Sequence, residues 1–147
     1  MAAILGVNLY TSVVDANSWA ASIPASVMTA RDYFKVVNPG TYFRMASPLN
    51  QLFALLALIA GWKFGRNARI FFGLALVFAV LTDVMTFAYF YPRNAVLFGP
   101  SAADPALLTR IVSEWRAMNW VRSLIVAVGL VCSMKGLDAM YRSKEQS

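Results

Sequence analysis

Long apolar segments, separated by polar or basic turns, dominate the chain. The clearest covers residues 70–91, in which Asp83 is the one charged side chain, and residues 45–62 carry no charge at all. A helix needs about 20 predominantly apolar residues to cross the hydrocarbon core of a bilayer. The pattern therefore predicts a single transmembrane domain over residues 1–147, with four spans at about 1–19, 45–62, 70–91 and 118–141.

A short amphipathic segment separates the first two predicted spans. Its apolar residues recur at helical spacing, with charged residues between them: Ile23, Val27, Ala30 and Phe34. Pro24 is typical of a helix start, whereas Asn38-Pro39-Gly40 is expected to end this helix. The fold class predicted is all-α, an integral membrane four-helix bundle with a short interfacial helix between helices 1 and 2.

Prolines mark the other expected helix ends. Ser47-Pro48 suggests the start of the second span, and Pro92 is expected to end the third span and open a loop over residues 92–105. A helix should begin near Asp104-Pro105 and continue into the fourth span.

Composition supports a membrane location. Hydrophobic residues make up 59% of the chain and charged residues 14%, against roughly a quarter charged in soluble domains. The net charge of +6 comes from basic residues at the ends of the apolar segments, among them Lys63, Arg66 and Arg69, which favours a lipid bilayer over nucleic acid as the partner. With four spans, this turn and both termini would lie on the cytoplasmic side.

The metal and redox chemistry open to the chain is limited. Histidine is absent, the seven acidic residues are scattered, and Cys132 is the one cysteine. We therefore expect no metal site and no internal disulfide, and Cys132 is interpreted as a buried, inert thiol.

Polar side chains inside apolar helices are functional candidates, because burying them in a membrane is costly. Asp83, deep in the third span, either handles protons or binds a ligand, or it only makes an interhelical hydrogen bond or ion pair. Trp115, Asn119 and Arg122 stand at i, i+4 and i+7 and therefore share one helix face. They could hold a flat polar molecule, or they could serve as interface anchors and a packing amide.

Other polar residues should lie in the same, outer half of the bundle. Arg93 could pair with Asp15 or Glu114, and the aromatic residues around Tyr91 suit either an interfacial belt or a site. The sequence thus predicts a ligand pocket opening towards the outer leaflet. Its predicted ligand-binding residues are Tyr10, Asp15, Arg44, Asn50, Tyr91, Arg93 and Trp115, beside Asp83, Asn119 and Arg122.

Four short motifs together resemble one protein family. They are Asn8-Leu9-Tyr10, Pro48-Leu49-Asn50, Phe90-Tyr91-Pro92-Arg93-Asn94 and Trp115-x-x-x-Asn119-x-x-Arg122. The chain resembles small bacterial membrane proteins of unknown function, a family that includes the fungal anthrone oxygenases. The resemblance covers most of the chain, although the first helix is shorter than usual for the family.

The resemblance implies a four-helix fold in a bacterial inner membrane and a cofactor-independent monooxygenase that converts an anthrone to an anthraquinone without metal or flavin. It also implies a base, for which Asp83 or Asp15 is available, and groups that hold an anion, such as Arg122, Arg93 and Asn119. A non-enzymatic binder, exporter component or accessory subunit is the alternative, and a homo-oligomer would then be expected. A purely structural bundle is the third possibility.

Overall fold

The computed structural model describes residues 1–99 and 104–145, and these residues form helices and no strands. The all-α prediction is therefore confirmed for the described part of the chain. The α-helices are α1 (Ala2–Tyr10), α2 (Ala16–Ala20), α3 (Ala25–Tyr33), α4 (Pro39–Gly61), α5 (Arg66–Met85), α6 (Tyr91–Phe98) and α7 (Pro105–Glu145).

Two π-helical segments join neighbouring helices without a break. Thr11–Asp15 connects α1 to α2, and Thr86–Phe90 connects α5 to α6. The flanking residues keep right-handed helical backbone angles, so residues 2–20 and 66–98 each form one continuous helix. Such π segments arise where one extra residue is fitted into a helix, and they are common near functional sites.

Three helices in the described part of the chain are long and apolar enough to cross a membrane: Pro39–Phe64, Arg66–Phe98 and Pro105–Glu145. They expose many large apolar side chains, as expected of a lipid-facing surface. The segment predicted as the first span is helical from residue 2 to residue 20, but it is not among these three.

The start of α4 corrects one prediction. A short helix between the first two apolar segments is present as α3, but Asn38-Pro39-Gly40 begins the next helix instead of ending this one. The Asn38 side chain accepts a hydrogen bond from the backbone N–H of Thr41 (3.2 Å), and Pro39 occupies the first turn. An N-cap asparagine followed by proline is a helix-start signal. Pro48, expected at the start, lies inside α4.

The end of the third apolar helix is also later than expected. Pro92 lies at the start of α6, and the helix continues to Phe98. The preceding π segment already widens the turn at which a proline ring would displace a backbone hydrogen bond, so the helix tolerates Pro92 there. Residues 100–103 of the expected loop lie outside the described residues, whereas the helix beginning at Pro105 and continuing through the fourth apolar segment is confirmed.

One end of the bundle is held together by a ring between two glycines. Phe72 of α5 is buried, with Gly61 of α4 on one side and Gly136 of α7 on the other. A Cβ atom on Gly61 would lie 2.5 Å from the Phe72 ring, and a Cβ atom on Gly136 would lie 2.8 Å from it. The chain turns at this end through Gly65, whose φ of +98° favours glycine. Small residues thus let α4, α5 and α7 approach closely.

The opposite end has an aromatic core. Trp115 of α7 packs edge-on against Trp19 of α2 and against Phe90, with ring centroids 5.0 and 5.2 Å apart. Val27 of α3 and Leu97 of α6 complete the same buried cluster. This cluster fixes α2, α3 and α6 around the first half of α7.

Candidate functional site

Arg122 is the central residue of the candidate site. It lies on α7 and is 4% exposed, although it is a charged residue among apolar helices. Its guanidinium carbon lies 4.1 Å from the centroid of the Phe90 ring, 5.1 Å from that of Phe43 and 5.9 Å from that of Trp115. Aromatic faces attract cations, so these three rings partly replace the solvation that burial removes.

Asn119 holds Arg122 in place. Its side-chain oxygen accepts a hydrogen bond from Nη2 of Arg122 (2.5 Å), and its Nδ2 donates to the carbonyl of Asn8 (3.0 Å) and to Oγ of Ser12 (2.6 Å). The amide thereby links α7 to the first helix. The Asn119 side chain is fully buried, and both its oxygen and its nitrogen are hydrogen-bonded. The fold therefore fixes the orientation of the Arg122 guanidinium.

Some polar atoms around this network have no partner within residues 1–99 and 104–145. They are Nε of Arg122 and both side-chain polar atoms of Asn8, all of them buried. Buried polar atoms in native proteins are nearly always hydrogen-bonded, often to ordered water. The region between the first helix and Arg122 therefore has unused capacity to bind a polar group.

A cleft of about 910 Å³ opens next to Arg122. It lies between α3, the start of α4, α6 and α7, and its size is in the range of small-molecule sites. Aromatic and polar side chains share its wall: Arg122, Trp115, Phe43, Tyr91, Asn94 and Thr86. We call this space the Arg122 cleft.

The charge of the Arg122 cleft is predominantly positive. Arg31, Lys35, Arg44 and Arg122 all line it, and Asp32 is the one acidic residue among the described residues of its wall. Asp32 is paired with Lys35 at 3.6 Å. The arrangement favours an anionic ligand with a flat, partly apolar body.

The structure brings part of the predicted pocket together. Arg44, Tyr91, Trp115 and Arg122 lie on the wall of the Arg122 cleft, and Asn119 lies directly behind Arg122. The indole N–H of Trp115 donates to the side chain of Asn94 (2.9 Å), which fixes the ring beside the cavity. The ligand-binding roles of these residues remain predictions.

Asp83 lies elsewhere. Its two carboxylate oxygens accept hydrogen bonds from Ser47 and Gln51 of α4, and the residue is within electrostatic reach of Arg122 without lining the cleft. The carboxylate therefore joins α5 to α4 and supplies a counter-charge to the buried guanidinium.

The other predicted residues also lie away from the wall of the Arg122 cleft. Asn50 accepts a hydrogen bond from the amino group of Met1 (2.7 Å). Arg93 forms an ion pair with Glu114 (2.9 Å), one of the two partners expected for it. Tyr10 is exposed and Asp15 is half-buried on the first helix, and neither lines the cleft.

Sequence reasoning missed several residues of the wall. Arg31 donates to the carbonyls of Val96 (2.9 Å) and Leu97, so that α3 is attached to the end of α6 beside the cleft. Arg31 was visible only as one polar position of an amphipathic helix. Asn94 ends the motif Phe90-Tyr91-Pro92-Arg93-Asn94, but its hydrogen bond with Trp115 is a tertiary contact that no local pattern shows.

No group of three or more His, Cys, Asp or Glu side chains that could hold a metal ion occurs in the part of the chain that the structure describes. Cys132 is a buried free thiol, and its burial agrees with its place in an apolar segment.

The family model for anthrone oxygenase matches residues 34–132, which is more than half of the chain. The chain belongs to the anthrone oxygenase family. The match covers eight of the predicted site residues, namely Arg44, Asn50, Asp83, Tyr91, Arg93, Trp115, Asn119 and Arg122, and begins after Tyr10 and Asp15. No curated protein and no solved structure matches the chain.

Proposed function

We propose that this member of the anthrone oxygenase family binds a hydroxylated aromatic lipophile as its anion in the Arg122 cleft and oxygenates it without a metal or organic cofactor. The observation that carries the proposal is the buried Arg122 guanidinium, held by Asn119 and flanked by the rings of Phe90 and Phe43 at the cleft wall. A fixed cation beside aromatic faces suits a flat phenolate or enolate.

The proposed reaction is the four-electron oxidation of a ring methylene to a ketone. The methylene carbon loses a proton, the carbanion reacts with O₂ to form a peroxide anion, this anion takes the proton back, and the resulting hydroperoxide loses water, so that CH₂ and O₂ give C=O and H₂O. The cleft cations stabilise the carbanion-enolate, which makes removal of the first proton easier. Asp32 is the carboxylate on the described cleft wall that could accept this proton.

Asp83 has a positioning role in this proposal. Both of its oxygens accept hydrogen bonds from α4, and its negative charge acts on the guanidinium of Arg122. Asp83 therefore supports the anion-holding residue, and it does not need to touch the substrate.

We also propose the topology of the whole domain. Residues 2–20 would complete a four-helix bundle with the three membrane-length helices, since Asn119 ties them to α7 through two hydrogen bonds. The basic turn containing Lys63, Arg66 and Arg69 would face the cytoplasm of a bacterium with both termini, and the Arg122 cleft would open on the other side. Cysteine labelling of the 63–69 turn and of α3 in intact cells would test this topology.

The enzymatic proposal is tested by oxygen consumption. Purified protein in detergent should accelerate O₂ uptake by an anthrone, and Arg122→Gln should reduce the rate about 100-fold, as expected when one preorganised electrostatic group is removed. Arg110→Gln is the matched control, because Arg110 is an exposed arginine of the same helix that does not line the Arg122 cleft. No turnover across a panel of hydroxyaromatic substrates, or an R122Q rate equal to that of the wild type, would refute the proposal.

A second function, binding without catalysis, is favoured by one observation. No carboxylate contacts Arg122 within the described residues, and Asp83 is occupied by Ser47 and Gln51. A carrier or accessory subunit would need the anion-binding cleft alone. Equilibrium binding of a hydroxyanthraquinone that is lost in R122Q, together with no O₂ uptake, would support this reading, and the mass of the native complex would show whether it is a homo-oligomer.

A further inference from the structure

A second cleft, of about 590 Å³, lies at the opposite end of the molecule from the Arg122 cleft. Its walls are the turn at Gly65, the first turns of α5 and the last turns of α7. We call it the end cleft. Its wall includes Phe64, Arg66, Phe71, Lys135, Asp138 and Arg142.

The end cleft has an excess of positive charge. Arg66, Lys135 and Arg142 line it against Asp138, whose carboxylate is paired with Arg142 at 3.0 Å. Arg66 and Lys135 have no ion-pair partner within the described residues, and both are exposed. Two further cations flank it, since Nζ of Lys63 and Nζ of Lys144 each lie 5.3 Å from the centroid of the Phe64 ring. Arg66 and Lys135 therefore remain available for an external anion.

The surface continuing from the end cleft along the bundle is apolar. Ile70 and Leu74 follow Arg66 at one and two turns along α5, and Val131 precedes Lys135 by one turn on α7. All three apolar side chains are exposed. A cationic pocket therefore adjoins an apolar helix surface at the end of a membrane-length helix pair, which is the distribution of polarity in a phospholipid.

We propose that the end cleft binds the phosphodiester headgroup of an anionic lipid, with the acyl chains lying along α5 and α7. Arg66 and Lys135 would contact the phosphate, because Arg142 is shared with Asp138. Basic pockets between membrane helices commonly bind such headgroups. The proposal does not depend on the function proposed for the Arg122 cleft, which lies at the other end of α7.

Lipid binding is tested by titrating purified protein in detergent with phosphatidylglycerol, with phosphatidylcholine that carries the same acyl chains, or with inorganic phosphate. Native mass spectrometry counts the lipid that remains bound. We expect one phosphatidylglycerol to be retained in preference to phosphatidylcholine, and millimolar phosphate not to displace it. Equal retention of both lipids would overturn the proposal, and displacement by phosphate alone would show a free-phosphate site instead of a lipid site.

Variants assign the binding to this cleft. Arg66→Gln and Lys135→Gln should each weaken phosphatidylglycerol binding roughly fivefold, the effect expected for one basic group at an anionic headgroup. Asp138→Asn should strengthen binding by a similar factor, because it removes the opposing charge. Arg110→Gln, an exposed arginine at the other end of α7, is the control. Unchanged binding in R66Q, K135Q and D138N would refute the assignment, and a loss in D138N would do so as well.

Discussion

The side chains of Asn119 and Arg122, one turn apart on α7, are joined by a hydrogen bond from Nη2 of Arg122 to Oδ1 of Asn119. The same amide donates to Asn8 and Ser12 on the first helix. The first helix therefore helps to position Arg122, although Arg122 itself belongs to α7. Asn119 is therefore the first residue to replace when the stability of the protein is tested.

Replacement of Asn119 by leucine should lower the free energy of unfolding by about 1–2 kcal/mol. The variant leaves the carbonyl of Asn8 and Oγ of Ser12 without a donor, and such side-chain bonds contribute modestly in membrane proteins. Reversible unfolding in mixed detergent micelles measures the change. Ser123→Ala is the control, because Ser123 bonds only to a carbonyl of its own helix and should cost much less. Equal costs for the two variants would contradict the interhelical role.

Replacement of Gly136 by alanine should destabilise the protein by about 1–3 kcal/mol, the usual cost of overpacking. The added Cβ atom would lie 2.8 Å from the Phe72 ring, which Gly61 blocks on its other side. Melting temperature in detergent is the measurement. Gly73→Ala, with nothing within 4 Å of the added atom, should be neutral or stabilising. Combining G136A with Phe72→Leu should recover part of the loss, and an absence of recovery would contradict the proposed clash.

Trp115→Phe should cost about 1 kcal/mol of stability. It retains an aromatic ring against Trp19 and Phe90 but loses the N–H that donates to the half-buried side chain of Asn94. Trp120→Phe is the matched control on the same helix, since Trp120 is 51% exposed. Chemical denaturation, followed by tryptophan fluorescence, measures the stability of both variants. A larger cost for W120F than for W115F would argue against the pairing with Asn94.

Asp83→Asn should also destabilise the protein, by about 1–3 kcal/mol. Ser47 and Gln51 both donate to the carboxylate, so an asparagine amide would point its own N–H at a donor. Adding Gln51→Glu supplies an acceptor for that N–H, and the D83N/Q51E double variant should recover part of the stability. A double-mutant cycle with no coupling would show that Asp83 does not connect α5 to α4.

Hydrophobic spacing predicted the helices well and their ends less well. The apolar segments around residues 45–62, 70–91 and 118–141 all lie in long helices, as expected of stretches that can cross a bilayer, where each backbone group must be hydrogen-bonded within the helix. Pro48 and Pro92 were interpreted as helix ends, yet both lie within helical segments. Pro92 lies in the helical turn that follows a π segment, which local propensity does not predict.

The candidate site was predictable where its residues share one helix face. Trp115, Asn119 and Arg122 are brought together by periodicity alone. Asp83 and Asn50 have the expected polarity but face other neighbours, because sequence position gives depth along a helix and not the direction in which each helix is rotated. That rotation is fixed by tertiary packing, such as the contact of Phe72 with Gly61 and Gly136.

The π segment Thr86–Phe90 has a consequence for comparing this chain with its relatives. A π turn contains one residue more than the α-helical turn it replaces, so deleting one residue there would restore a plain α-helix and leave the residues on either side in their present directions. Tyr91 and Asn94 would then stay on the wall of the Arg122 cleft. Relatives that carry a single-residue gap at this point should therefore present the same side chains to their ligands, whereas the same gap within α5 would rotate every later residue of that helix by about 100°.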